Sequence, residues 1–123
     1  MTELIHKELS EQVIGASMEV LNALGPGLLE KIYERALVIE LRERGLEVSQ
    51  QSKFDVYFRE QLVGELIPDM IVEDRVIVDT KVVASFNDYH LAQMTGYLAI
   101  TKLNLGLLIN FKYGRLKWKR IVR

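Results

Sequence analysis

The 123-residue chain contains no cysteine. That excludes disulfides, a thiol nucleophile and any cysteine-held zinc or iron–sulfur centre. It also lacks an apolar run approaching the ~20 residues a membrane-spanning helix needs, so no stretch reads as a span. The opening stretch MTELIHKELSEQ is charged and helical in pattern, unlike a signal peptide. Repeats, linkers and low-complexity segments are missing too. Nor is there an excess of one charge: a formal −1 neither supports nor forbids a nucleic-acid partner, because distribution counts for more than the sum. The expected location is cytoplasmic, with no membrane contact.

What is present fits one domain over residues 1–123, long enough for a core but not for two. Hydrophobic content of 49% and charged content of 27% are ordinary for a globular chain. Helical spacing of Leu4, Ile5, Leu9, Val13 and later apolar positions predicts a first helix over Glu3–Leu24, stopped by Gly25-Pro26-Gly27. A second helix is expected from about Leu28 to Arg44, with Gly45 as its stop. Val48–Arg59 reads as one partly exposed strand, followed by a turn at Glu60-Gln61. Leu62–Ile67 then leads into a hairpin of Pro68–Val72 and Val76–Val82 around Glu73-Asp74-Arg75. A third helix is expected over Phe86–Thr101, capped by Asn87 or Asp88. Leu105–Phe111 suits a buried strand, and Arg115–Val122 a final one. The order α-α-β-β-β-α-β-β implies an α/β fold with a mixed sheet. Its hairpin is apolar on both faces except at its acids and lysine, so helices should cover both sides and leave a polar notch on one.

That notch is where the chemistry concentrates. A three-residue loop centred on Asp74 sets Asp69 opposite Asp79, and alternation puts Lys81 on the same face. Two facing carboxylates roughly 5 Å apart at Cβ repel and destabilise the pair. They stand among Ile67, Met70, Ile71, Ile77, Val78 and Val82, and buried acids are rare unless paired or bound to metal. One reading is a cation site; the other is an ion pair in which Lys81 neutralises one acid. Hard oxygen donors with no histidine or cysteine beside them point to magnesium or manganese rather than zinc. Glu30, in the second helix's first turn, either complements the helix dipole or supplies a third acid.

In the third helix His90, Gln93 and Tyr97 fall on one face at i, i+3 and i+7. A polar stripe there invites a functional reading, most of all for Gln93. His90 reads equally as solvated surface, and Tyr97 as core packing or contact. The tail Lys112–Arg123 carries six basic residues and no acid, with Tyr113 and Trp118 interleaved. It reads foremost as an edge strand protected by charge, with phosphate contact as the alternative.

Taken together these motifs resemble the GxxExxY protein family, a branch of the PD-(D/E)XK nuclease superfamily. Gly27, Glu30 and Tyr33 stand at the naming motif, Pro68-Asp69 and Asp79-Thr80-Lys81 at the superfamily signature, and Gln93 and Tyr97 at a QxxxY helix. The resemblance runs from Val13 to Ile121. It implies a restriction-endonuclease-like α-β-β-β-α-β core with an extra N-terminal helix and a C-terminal strand. It further implies that Glu30, Asp69, Asp79 and the Thr80 carbonyl hold Mg2+ or Mn2+. Lys81 orients the attacking water or stabilises the phosphate, Gln93 positions water or substrate, and Tyr33 and Tyr97 touch substrate. Asp79 stands where the family more often carries glutamate.

The leading expectation is a metal-dependent nuclease acting on DNA or RNA. The alternative is a nucleic-acid- or protein-binding module that keeps the fold without cleaving. A third is a homo-oligomer whose groove forms on dimerisation through the first helix.

Overall fold

The computed structural model describes residues 5–123, so Glu3 and Leu4, expected in the first helix, lie outside the described residues. Helix α1 spans Lys7–Leu24, and its buried positions Val13, Ala16, Ser17, Val20 and Leu21 follow helical spacing. Gly25, at φ 75°, ends it, its N–H donating to the Leu21 carbonyl. Helix α2, Glu30–Glu43, buries Tyr33, Glu34, Leu37, Val38 and Leu41. Full burial of each leucine contributes about 1.5–3 kcal/mol relative to leaving it exposed. Helix α3, Asp88–Thr101, starts at Asn87, whose side chain accepts from the His90 N–H while His90 Nδ1 accepts from the Asn87 N–H. This reciprocal cap accounts for His90 structurally.

The strands are β1 Val48–Gln50, β2 Phe54–Phe58, β3 Gln61–Leu66, β4 Met70–Val72, β5 Val76–Lys81, β6 Leu105–Asn110 and β7 Lys117–Val122. One sheet has the order β1-β4-β5-β6-β7, and β2-β3 forms a separate hairpin. The sequence therefore misleads over Val48–Arg59, which is two strands in two sheets. Gln51, at φ 55°, breaks the chain direction between them. The β2–β3 turn also falls one residue earlier than expected, on Arg59 and Glu60, both at positive φ.

The central pairings follow the expected plan. β4 and β5 are antiparallel with Met70 opposite Val78, which extends to Asp69 opposite Asp79. Helix α3 then returns the chain to β6, parallel to β5, and β7 closes the far edge antiparallel to β6. Alternation sorts β5 into its two faces. Val76 and Val78 join α1, α2, Met70, Val72, Leu105, Leu107 and Ile109 in the larger core. Ile77 faces the other way, against Met94, Leu98 and Leu108 under α3. Asp79 and Lys81 continue that second face beyond the point where apolar packing ends.

Candidate active site

Asp69, Asp79 and Lys81 meet at the end of the β4–β5 pair, where α2 and α3 approach it. The notch there is about 470 Å³ and is lined by Glu30, Lys31, Glu34, Asp69, Asp79, Lys81, Gln93 and Tyr97. Glu30 enters from the first turn of α2, and Gln93 and Tyr97 from successive turns of α3. A larger cleft of about 720 Å³ lies between α1 and the start of β7, lined by Met18, Leu21, Leu116 and Trp118 among others. No acid lines that cleft, nor does Lys81 or Gln93; Arg115, Lys117 and Trp118 of the basic tail do.

The two strand acids are anchored through backbone. The Asp69 N–H donates to Asp79 Oδ1 at 3.2 Å, and the Thr80 N–H donates to Asp69 Oδ2 at 3.0 Å. Thr80 Oγ1 reinforces that bond at 3.3 Å. Thr80 thus enters the site as the anchor of Asp69. Lys81 Nζ lies 3.9 Å from Asp79 Oδ2 and donates to Gln93 Oε1 at 3.4 Å. Behind it, the Asn110 side chain donates to the Val83 carbonyl and accepts from the Val83 N–H, while the Phe111 N–H donates to the Lys81 carbonyl. These bonds fix the backbone from which Lys81 projects.

Four carboxylates, Glu30, Glu34, Asp69 and Asp79, here face two ammonium groups, Lys31 and Lys81. Burial, with the charge of Asp69, pushes the Asp79 carboxyl up to about 7, against the Asp69 N–H and Lys81, which favour its anion. Burial and the charge of Glu34 raise Asp69, opposed by the Thr80 N–H and Lys81. Glu30, although exposed, is also raised, by partial desolvation with Asp69 and Glu34 adding and Lys81 opposing. Burial and the charges of Asp79 and Asp69 push the Tyr97 hydroxyl up to about 12, so it remains a donor at neutral pH. Glu30, Asp69 and Asp79, hard oxygen donors whose carboxyls are raised by burial first and by acid neighbours second, fit a divalent cation, whose charge favours their anions. Among the described residues, however, no group of three or more histidine, aspartate or glutamate side chains is placed to hold a metal ion as it stands.

Tyr33 does not reach the notch. Its ring is fully buried and stacks on Phe111 with centroids 4.8 Å apart. Its hydroxyl donates to the Gly25 carbonyl at 2.6 Å and accepts from the Leu28 N–H at 3.1 Å. Tyr33, expected to touch substrate, here ties the α1–α2 loop, and so bears on where Glu30 begins α2. Sequence reading also missed Glu34, only 2% exposed. Its carboxylate accepts from Gln50 Nε2 at 3.1 Å, Gln51 Nε2 at 3.0 Å and Lys31 Nζ. Its signal was an acid inside the buried stripe of α2, four residues beyond Glu30.

A family model described as the PD-(D/E)XK nuclease superfamily matches residues 7–121. No curated protein sequence matches. Among solved structures, the crystal structure of SSO0001 superposes with a TM-score of 0.61 at 16% identity, over 96% of this chain and 57% of that one. An alkaline exonuclease, LHK-Exo from Laribacter hongkongensis, superposes with a TM-score of 0.50 at 13% identity, over 93% of this chain and 82% of that one. At such identities the likeness is one of fold. This chain spans little more than half the length of SSO0001.

Proposed function

Because the chain belongs to the PD-(D/E)XK nuclease superfamily, we propose that it hydrolyses phosphodiester bonds of DNA or RNA with a divalent cation, Mg2+ or Mn2+. The observation that carries this reading is the meeting in one notch of Glu30, Asp69 and Asp79 with Lys81 and Gln93. Glu30, Asp69 and Asp79 would hold the cation, with the Thr80 carbonyl as a further ligand. Such an ion, when bound, supplies a Lewis acid and lowers the pKa of water. Lys81, held by Gln93 Oε1 and facing Asp79, places a positive charge where negative charge develops on the phosphate. Tyr97, a protonated donor, contacts substrate, and Gln93 positions water or substrate. The spacing of Gly27, Glu30 and Tyr33 supports the GxxExxY branch within the superfamily.

The test is cleavage of single- and double-stranded DNA and RNA in magnesium, manganese and EDTA. The wild type cleaves with metal, and Asp79→Asn and Lys81→Ala lose about 100-fold or more. Full cleavage by both variants in the same preparation assigns any activity to a contaminant.

One observation favours a second reading, a module that binds without cleaving: the acids do not form a ready three-ligand group among the described residues. That reading requires nucleic-acid or protein binding that survives both EDTA and Asp79→Asn. Binding that disappears in EDTA counts against it.

A further inference from the structure

A second cleft, about 370 Å³, adjoins the notch and shares Gln93 and Tyr97 with it. Its volume is that of a small-ligand site. It lies between the end of β3 and α3, walled by Leu66 and Ile67 on one side and by Tyr89 and Gly96 on the other. Tyr89 is 70% exposed, an aromatic ring kept in water beside a catalytic notch. Glu65 is the one charged group in the lining.

Gly96 is the independent clue. It stands in the interior of α3, where glycine is destabilising relative to alanine. Gly106, by contrast, has a packing reason: a Cβ there would meet the Met94 side chain at 2.3 Å. A Cβ on Gly96 would meet no atom within 4 Å beyond its chain neighbours and the backbone of its own helix. Nothing inside the protein requires the missing side chain, and its absence keeps the cleft open toward Tyr89 and Tyr97.

We propose that this cleft receives an unstacked nucleobase, belonging to the nucleotide next to the phosphate held at the notch. The proposal rests on the nuclease reading and adds its substrate class, a single strand. Tyrosine rings stack on bases of any identity. Glu65 repels a phosphate but accepts a hydrogen bond from an exocyclic amine such as that of cytosine. The phosphodiester is thereby directed to Lys81 and the base to the apolar cleft. A paired duplex presents no base in this way until it is opened.

The experiment measures binding of a fluorescein-labelled oligodeoxycytidylate, the same strand with abasic sites, and a duplex, by anisotropy without magnesium. Cleavage in magnesium is followed in parallel. The proteins are the wild type, Tyr89→Ala, Gly96→Leu, Gly96→Ala and Asp79→Asn. The wild type should bind the intact strand roughly 5- to 100-fold tighter than the abasic one, and tighter than the duplex. Gly96→Leu and Tyr89→Ala should lose that ratio, whereas Gly96→Ala and Asp79→Asn keep it. Because the ratio is taken within each variant, a partly unfolded preparation does not imitate the result. Equal binding of intact and abasic strands by the wild type, or a ratio kept by Gly96→Leu, overturns the base cleft. If cleavage still depends on Asp79 in that case, the nuclease reading stands without it. A wild type that neither binds nor cleaves any strand overturns both.

Discussion

Asp69 and Asp79 hold each other in place while repelling each other. The Asp69 N–H binds Asp79 Oδ1 at 3.2 Å, and the next residue along β5, Thr80, returns a backbone bond to Asp69 Oδ2 at 3.0 Å. The bonds favour two anions; burial opposes them, with the charge of Glu34 at Asp69 and of Asp69 at Asp79, and opposition wins at both residues. The pair is thus fixed in position at an electrostatic cost.

That cost predicts an unusual pH dependence without metal. Asp79 moves from an ordinary 3.8 to about 7 in the folded protein. The folded state therefore binds more protons than the unfolded chain between these values, and stability falls as pH rises through that window. In EDTA, melting midpoints of the wild type should decline from about pH 4 to 7, and Asp79→Asn should flatten the decline. Asparagine keeps an oxygen for the Asp69 N–H while removing the charge. A wild-type profile that rises across this range contradicts the buried pair.

Much of this pair was legible in sequence because its information is local. A turn at Glu73-Asp74 and a period of two along β5 suffice to set Asp69 opposite Asp79 and Lys81 beside it. What stayed hidden depends on distant partners. Glu34 can be buried only because Gln50 and Gln51 arrive from β1 and its exit, sixteen and seventeen residues on. Tyr33 occupies a motif position, yet its burial follows from Phe111 at the end of β6. The division of Val48–Arg59 turns on the left-handed backbone at Gln51, a residue type that does not announce such a break. Asn110 reads as one polar residue inside the apolar run Leu105–Phe111 until Val83 is placed against it.

Metal should reverse the cost. An ion at a hundredfold its dissociation constant adds about 2.7 kcal/mol to the folded state. Melts at neutral pH should show midpoints raised by several degrees in magnesium or manganese for the wild type. Asp79→Asn should start higher in EDTA and respond little to either ion. Equal midpoints in EDTA and in both metals, for the wild type, speak for an ion pair with Lys81 instead.

Tyr33→Phe separates structure from substrate contact. The substitution keeps the ring on Phe111 but leaves the Leu28 N–H and the Gly25 carbonyl without their shared partner. A loss of about 1–3 kcal/mol is expected, read as a lower denaturant midpoint. Below its melting temperature the variant should retain the wild-type KM. A raised KM with unchanged stability would return Tyr33 to the substrate.

The seat of α3 governs whether Gln93 reaches Lys81. Met94, the next residue, is fully buried and lies over Gly106 of β6, where an added Cβ would come within 2.3 Å of its sulfur and 2.5 Å of its Cγ. Gly106→Ala must therefore displace the Met94 side chain or lift the helix, at about 1–3 kcal/mol. Lifting the helix also lengthens the Lys81–Gln93 contact, already 3.4 Å, so stability and cleavage should fall together. Shortening the opposing side chain provides the control. In Gly106→Ala/Met94→Ala the clash is gone, so the double variant should lose less than the sum of the two single variants' losses, by about 0.5–3 kcal/mol. Chemical denaturation of the single and double variants measures that coupling. Strict additivity would mean that Met94 does not bear on Gly106, and that α3 is seated by the other residues of its cluster, Leu98 and Leu108 among them.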